Sequence, residues 1–239
     1  MTAPSATLIA ERLATGAVSA RDVTEACLAR IAERDGEIRA FAHIDPAHAR
    51  GQADALDRHR KAGRPLGPLH GVPVGVKDIV DTADMPTENG TPLDAGRRPQ
   101  KDATVVARLR AAGAVVIGKT VTTEFAFLHP RETHNPHDTE RTPGGSSQGS
   151  AAAVADGMVP LAIGTQTAGS VIRPASFCGV VGMKPTYGLV SLAGVLTICH
   201  PLDTVGVFAT NVEDAAFLLD AIAGHDPADD RTRPIARPD

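Results

Sequence analysis

The sequence predicts an α/β protein: a mixed, largely buried β-sheet covered by helices on both faces. Three observations carry this. The short apolar runs GVPVGV (71–76), AVVIG (114–118), MVPLAIG (158–164) and VGVFAT (205–210) are too continuous for strands with one solvated face. Segments of helical spacing precede or follow them, giving an alternation of helix and strand. Hydrophobic residues make up 42% of the 239 positions but aromatics only 3%, with no Trp, so small aliphatic side chains must fill the core.

Taken in order, Val23, Cys27 and Ile31 recur at helical spacing between Ser19 and Ile38, and Ser19 with Asp22 forms a capping box. A second, polar helix runs from about Pro46 to Ala62 and stops at Gly63. The strand GVPVGV follows and ends at Lys77. Thr82 to Lys101, rich in Pro, Gly and charge, reads as a long surface loop. Val105, Val106 and Leu109 mark one face of a helix over Thr104–Ala112, stopped by Gly113 before AVVIG. A helix over Ser150–Asp156 leads into MVPLAIG, and VGVFAT precedes a helix over Val212–Ala223 with Asn211 as N-cap and Gly224 as stop. We expect one domain over 1–239: a helical region at 1–70, a core at 71–225 and a polar tail at 226–239 ending in RTRPIARPD.

Bulk properties narrow the function. With 24 basic and 28 acidic residues the formal net charge is −4, and no basic run suggests direct contact with nucleic acid. Cys27, Cys178 and Cys199 are odd in number and lack metal or disulfide spacing, so no metal is expected and the expected compartment is a reducing cytoplasm. The start, MTAPSATLIAERLATG, has no basic stretch followed by an apolar segment, and no run of about 18 apolar residues occurs, so neither export by that route nor a membrane span is expected.

Chemistry concentrates in two Gly-Ser elements. TPGGSSQGSAAAVA (142–155) sets Ser146 and Ser147 among glycines directly before an alanine-rich segment, which places the loop at a helix start. GTQTAGSVIRPASFCG (164–179) holds Ser170 after Thr167, Ala168 and Gly169, whose backbone N–H groups suit an oxyanion hole. A serine nucleophile needs a base. Of the nine histidines, His129, His134, His137 and His200 lie near Pro-containing loops and read as packing residues. Lys77, ending an apolar strand, would lose part of its affinity for a proton through desolvation, but Lys119 and Lys184 end similar stretches and position alone does not choose among them. Asp78 and Glu124 read as structural acids. Cys199 and His200 are adjacent on an extended segment, so their side chains point apart.

GVPVGVKDIVDT (71–82), TPGGSSQGSAAAVA, GTQTAGSVIRPASFCGVVGMKPTYG (164–188) and LDTVGVFA (202–209) together resemble the amidase signature family over about residues 20–225. The resemblance implies a Ser-Ser-Lys triad: Ser170 as nucleophile, Ser146 as a bridging serine held through a cis peptide bond, Lys77 as base and Ser147 in support. The oxyanion hole falls on Thr167, Ala168, Gly169 and Ser170. The order SVIRP is similar to that of malonamidase in this family, and this implies that Arg173 binds a substrate carboxylate; the alternative is a pairing with an internal carboxylate. Gln166, Ala168 and Gln148 depart from the family's GTDTGGS and Gly-Gly.

The implied activity is an amidohydrolase that cleaves a small-molecule carboxamide through an acyl-enzyme without a cofactor. Two alternatives stay open: the glutaminase subunit of a tRNA-dependent amidotransferase, and a non-catalytic binding or assembly module. Family members are longer, so the chain is expected to be the N-terminal and central part of the domain, with a homodimer or association with a C-terminal portion as the partner arrangements.

Overall fold

The computed structural model describes residues 5–234. Six strands form one mixed sheet: β1 (Phe41–Ile44), β2 (Pro73–Lys77), β3 (Val115–Thr120), β4 (Leu161–Gln166), β5 (Val181–Met183) and β6 (Thr204–Ala209), in the order β1-β3-β2-β4-β6-β5. The central β3, β2 and β4 run parallel, while β1, β6 and β5 join antiparallel to their neighbours. Every residue of β2, β3, β4 and β6 is buried, as continuous apolar runs require.

Among the described residues seven α-helices flank the sheet: α1 (Ala6–Thr15), α2 (Ala20–Ile38), α3 (Pro46–Lys61), α4 (Thr104–Ala111), α5 (Gln148–Ala155), α6 (Ile172–Cys178) and α7 (Val212–Ile222). The strand period of two distributes side chains to two cores. Leu161, Ile163, Val205 and Val207 pack with Leu13, Leu109 and Leu218 on the face of α1, α4 and α7. Ala162 and Phe208 pack with Ile31, Ala151, Ala152 and Cys178 on the face of α2, α5 and α6. Helices therefore cover both faces.

Local chemistry explains where the helices start. Ser19 and Asp22 form the reciprocal capping box, Asp45 accepts the His48 N–H ahead of Pro46, and Asn211 accepts the Asp214 N–H. On the α5 face the sheet is paved with Gly75, Ala162 and Gly164. A Cβ on Gly164 would stand 2.6 Å from Ser147 Oγ, and one on Gly149 in α5 itself would stand 2.1 Å from the Ala40 carbonyl oxygen. These two glycines let an alanine-rich helix and its serine loop lie against the strands.

Four expectations change. The first 70 residues are not wholly helical: β1 adds an edge strand, paired through its backbone to β3. Helix α5 begins at Gln148, two residues early, which makes Ser147 its N-cap residue. The 82–101 segment is not simply a surface loop, because Thr82, Met85, Thr87, Asn89 and Thr91 are buried. Asn89 N–H bonds the Asp78 carbonyl, and Lys119 binds Thr87, so hydrogen bonds hold the segment over the strand ends. The polar tail is docked as far as it is described. Asp226 accepts from Thr104 and Ser191 hydroxyls, and Asp229 accepts the Leu192 N–H and the Arg231 guanidinium. Polar residues lie buried there because their carboxylates meet buried donors; residues 235–239 of the tail lie outside the described residues.

Candidate active site

Parallel β2 and β4 end side by side, and the predicted residues meet at their carboxyl ends, where open α/β sheets bind ligands. Lys77, the last residue of β2, is fully buried. Its Nζ lies 2.8 Å from Ser146 Oγ and 2.9 Å from Thr165 Oγ1, and no carboxylate forms an ion pair with it among the described residues. Burial pushes the Lys77 ammonium well below the usual lysine range, and the negative charge of Asp203 opposes that shift only in part. The amine can therefore be neutral where an exposed lysine is charged.

The structure separates the three lysines that the sequence left open. Lys119 is equally buried, but it pairs with Asp78 at 3.3 Å and binds the Val80 and Pro86 carbonyls; burial lowers it only to about 8. Lys184 is exposed and binds the Pro185 carbonyl. Among the described residues only Lys77 of the three touches a serine of the Gly-Ser loops. Asp78 and Glu124 are structural, Asp78 through Lys119 and Glu124 as acceptor of the Thr91 hydroxyl.

Ser146 is buried, and the Gly145–Ser146 peptide bond is cis. Its carbonyl accepts the Thr123 N–H at 3.1 Å. Ser147 ties the two serine loops together: its N–H bonds the Ser170 carbonyl at 3.3 Å, and its Oγ donates to the Thr165 carbonyl at 3.1 Å. Ser170 is half-buried, and its hydroxyl has no protein partner among the described residues. Lys77 and Ser146 are thus hydrogen-bonded to each other, while no side-chain hydrogen bond joins Ser146 to Ser170 among the described residues.

Around Ser170 the backbone N–H groups of Ala168, Gly169 and Ser170 find no protein acceptor among the described residues. They are free to meet an oxyanion. Gln166 holds this turn from both sides, donating to the Ala168 carbonyl and accepting the Val171 and Ile172 N–H groups. The first of these bonds requires an amide, since a carboxylate in its place has no hydrogen to donate. Gln148, the other departure, donates to the Thr133 hydroxyl. Thr167 contributes its side chain as well, donating to Asp203 Oδ1 at 2.5 Å.

For Arg173 the structure speaks only to the alternative reading, the internal carboxylate. It pairs with no carboxylate among the described residues; its Nε and Nη2 donate to the Gly145 carbonyl at 2.9 and 2.7 Å, on the peptide group that carries Ser146. Thr165, Gln166 and Asp203 were missed as functional residues, although all three lie inside the motifs GTQTAGS and LDTVGVFA. Among the described residues no group of His, Cys, Asp and Glu could hold a metal ion, and no helix is long and apolar enough to cross a membrane. A cleft of 760 Å³, lined by Asp35, Arg39, Phe41, Thr122 and Glu132 among others, includes none of the triad.

A fully buried lysine thus lies on a buried serine, beside a second serine whose turn carries free N–H groups among the described residues. The chain belongs to the amidase family, whose model matches residues 22–239. It is 48% identical over 233 residues to a glutamyl-tRNA(Gln) amidotransferase subunit of Chloroflexus aggregans, covering 95% of this chain and 48% of that protein. Among solved structures, the peptide amidase of Stenotrophomonas maltophilia superposes with a TM-score of 0.91 at 42% identity, over 95% of this chain and 49% of that one. The corresponding glutamyl-tRNA(Gln) amidotransferase subunit of Thermotoga maritima gives 0.79 at 37% identity, over 91% and 46%. The chain spans about half the length of the relatives it matches.

Proposed function

We propose that this chain carries the nucleophile, relay and base of an amidase, and that the protein it represents is the glutaminase subunit of a tRNA-dependent amidotransferase. The observation that carries the catalytic part is Lys77: buried, without an ion pair among the described residues and hydrogen-bonded to Ser146. Burial lowers the affinity of such an amine for a proton, which suits it to act as a base.

In the proposed reaction Ser170 Oγ attacks the carboxamide carbon and passes its proton to Ser146 Oγ, whose own proton goes to neutral Lys77. The carbonyl oxygen becomes an oxyanion facing the N–H groups of Ala168, Gly169 and Ser170. Lysinium then returns the proton through Ser146 to the leaving nitrogen, the C–N bond breaks, and ammonia departs. Water adds to the acyl-enzyme by the same relay, releasing carboxylate and restoring Ser170. Residue by residue this follows the family resemblance; the geometry of Lys77, Ser146 and the free N–H groups supports it.

The glutaminase reading is favoured over an independent small-molecule amidohydrolase by relatives at 46–50% identity that bear the amidotransferase name. The independent reading is favoured by the likeness to peptide amidase. Ammonia release separates them. In the full-length protein the glutaminase reading expects glutamine to be the preferred amide, with turnover rising when the other amidotransferase subunits and charged tRNA are added. Rapid hydrolysis of simple carboxamides or peptide amides, with no response to those additions, would sink it. Failure of a fluorophosphonate to label Ser170 would point to the non-catalytic module.

A further inference from the structure

Asp203 is absent from the proposed proton path, yet three elements of the site converge on it. It immediately precedes β6, and the β4–β6 register, in which Gln166 pairs with Thr204, brings it opposite Thr167. The side chain is 3% exposed. Oδ1 accepts the Thr167 hydroxyl at 2.5 Å, and Oδ2 accepts the N–H groups of Ile198 and Cys199 at 2.7 and 2.9 Å. Thr167 begins the turn that presents the N–H groups of Ala168, Gly169 and Ser170.

We propose that Asp203 is a positioning residue with two actions: through Thr167 it sets the oxyanion turn, and through its charge it sets the proton affinity of Lys77. The proposal rests on the catalytic reading above for its first action; its second rests on the burial of Asp203 and on the β4–β6 register, in which Thr165, the hydrogen-bond partner of Lys77, pairs with Val205 two residues from Asp203. The surroundings of Lys77 make Asp203 effective. On β4 and the serine loop Lys77 meets only hydroxyls, those of Thr165 and Ser146. Asp78, next along the chain, and Lys119 on β3 are engaged with each other, which leaves little net charge from that side. Asp203 is a buried carboxylate on the β6 side of Thr165, and its negative charge favours lysinium against the pull of burial. A base too weak to take the serine proton would be as useless as one permanently charged; a buried carboxylate at one remove holds Lys77 between those limits.

Two substitutions separate the two actions. Asp203→Asn is nearly isosteric. Its oxygen can still accept the two backbone N–H groups, and its amide can donate to Thr167 Oγ1, which accepts equally well. It therefore removes charge and keeps contacts. Thr167→Val keeps the charge and removes the contact. The readouts in the full chain are the direct titration of Lys77 by NMR of labelled lysine side chains, and the pH dependence of Ser170 labelling by a fluorophosphonate. Thermal unfolding of each variant shows that it is folded.

Asp203→Asn is expected to lower the Lys77 midpoint by about one pH unit, the size of a neighbouring-charge effect, and to move the acid limb of labelling with it. Thr167→Val is expected to leave that midpoint in place and to reduce the plateau rate by about ten-fold through misplacement of the turn. An unmoved Lys77 midpoint in folded Asp203→Asn overturns the electrostatic action, and a wild-type plateau in Thr167→Val overturns the positioning action. A shifted midpoint in a protein whose Ser170 is never labelled upholds the coupling and overturns the catalytic reading, so the two failures are distinct.

Discussion

At the scale of single residues, the proposed chemistry depends on burial lowering the affinity of Lys77 for a proton while leaving it a hydrogen-bond partner. Its affinity for a proton is lowered on folding, so the unfolded chain binds more protons between the depressed folded value and the ordinary value of about 10.4. Wild-type stability must therefore rise with pH across that window, by up to about 1.4 kcal/mol per pH unit. Lys77→Met has no such group. We expect the variant to be inactive and its unfolding free energy, relative to wild type, to fall steadily from pH 7 toward pH 10; parallel denaturant curves at both pH values would refute the neutral buried amine. Arg173 makes the second prediction. Because two of its donors hold the Gly145 carbonyl beside Ser146, Arg173→Ala should lower kcat for carboxylate-bearing and neutral amides alike, by about ten-fold or more. A loss confined to carboxylate-bearing amides would favour the substrate-clamp reading instead.

At the scale of elements, the serine loops are placed by how closely α5 can approach the sheet. Gly164 sits in β4 beneath Ser147, and a Cβ there would also stand 2.8 Å from Phe208 Cε2. Gly164→Ala should cost about 1–3 kcal/mol by overpacking and, by displacing Ser147, loosen the bond from its N–H to the Ser170 carbonyl. Melting temperature and Ser170 labelling should fall together; a variant as stable and as reactive as wild type would show that the close approach is incidental. The same level shows what was legible in the sequence. α2 and α7 were readable because Ser19 and Asn211 cap them locally, α3 because a polar helical stretch from Pro46 is stopped by Gly63, and β2, β3, β4 and β6 because each is an unbroken apolar run. Strand β1 was not, since FAHI is four residues with a mixed burial pattern and exists through its backbone pairing to β3. α6 hid behind Pro174, tolerated in its first turn, and β5 is a three-residue edge strand. At the site, Lys77, Ser146 and Ser170 were marked by their motifs, whereas the roles of Thr165 and Asp203 arise from partners 88 residues along the chain in one case and 36 in the other. No local pattern records such a contact.

At the scale of the whole molecule, carboxylates bind the two ends of the described chain to the α1, α4 and α7 face. Asp214, inside the first turn of α7, is wholly buried, and it accepts the Ala6 and Thr7 N–H groups and the Ser5 and Thr7 hydroxyls, so it caps α1 from another helix. Asp226 and Asp229 do the same for the final segment through Thr104, Ser191 and Leu192. Burial by itself would raise all three carboxyls, but the converging hydrogen bonds outweigh it and hold each below the usual range. A depressed folded value means that the stabilisation is complete above the unfolded value of about 3.9 and is lost as pH falls through the folded one. Acid should therefore release the chain ends as the carboxyls take up protons. Asp214→Asn tests one of these ties. The amide can accept at only one of the two oxygen positions and turns hydrogens toward donors at the other, leaving N–H or hydroxyl groups of α1 unmet at a cost of about 1–3 kcal/mol. Hydrogen exchange should then quicken in Ala6–Thr15 at neutral pH, while amides of β2 and β4 keep their protection, because Lys77 and its surroundings belong to the centre of the sheet. The variant should also lose less stability than wild type between pH 5 and pH 2, having one fewer depressed carboxyl to protonate. Unchanged exchange in α1, or an acid response equal to that of wild type, would show that α1 is held by the packing of Ile9 and Leu13 alone and that Asp214 contributes nothing to the tie.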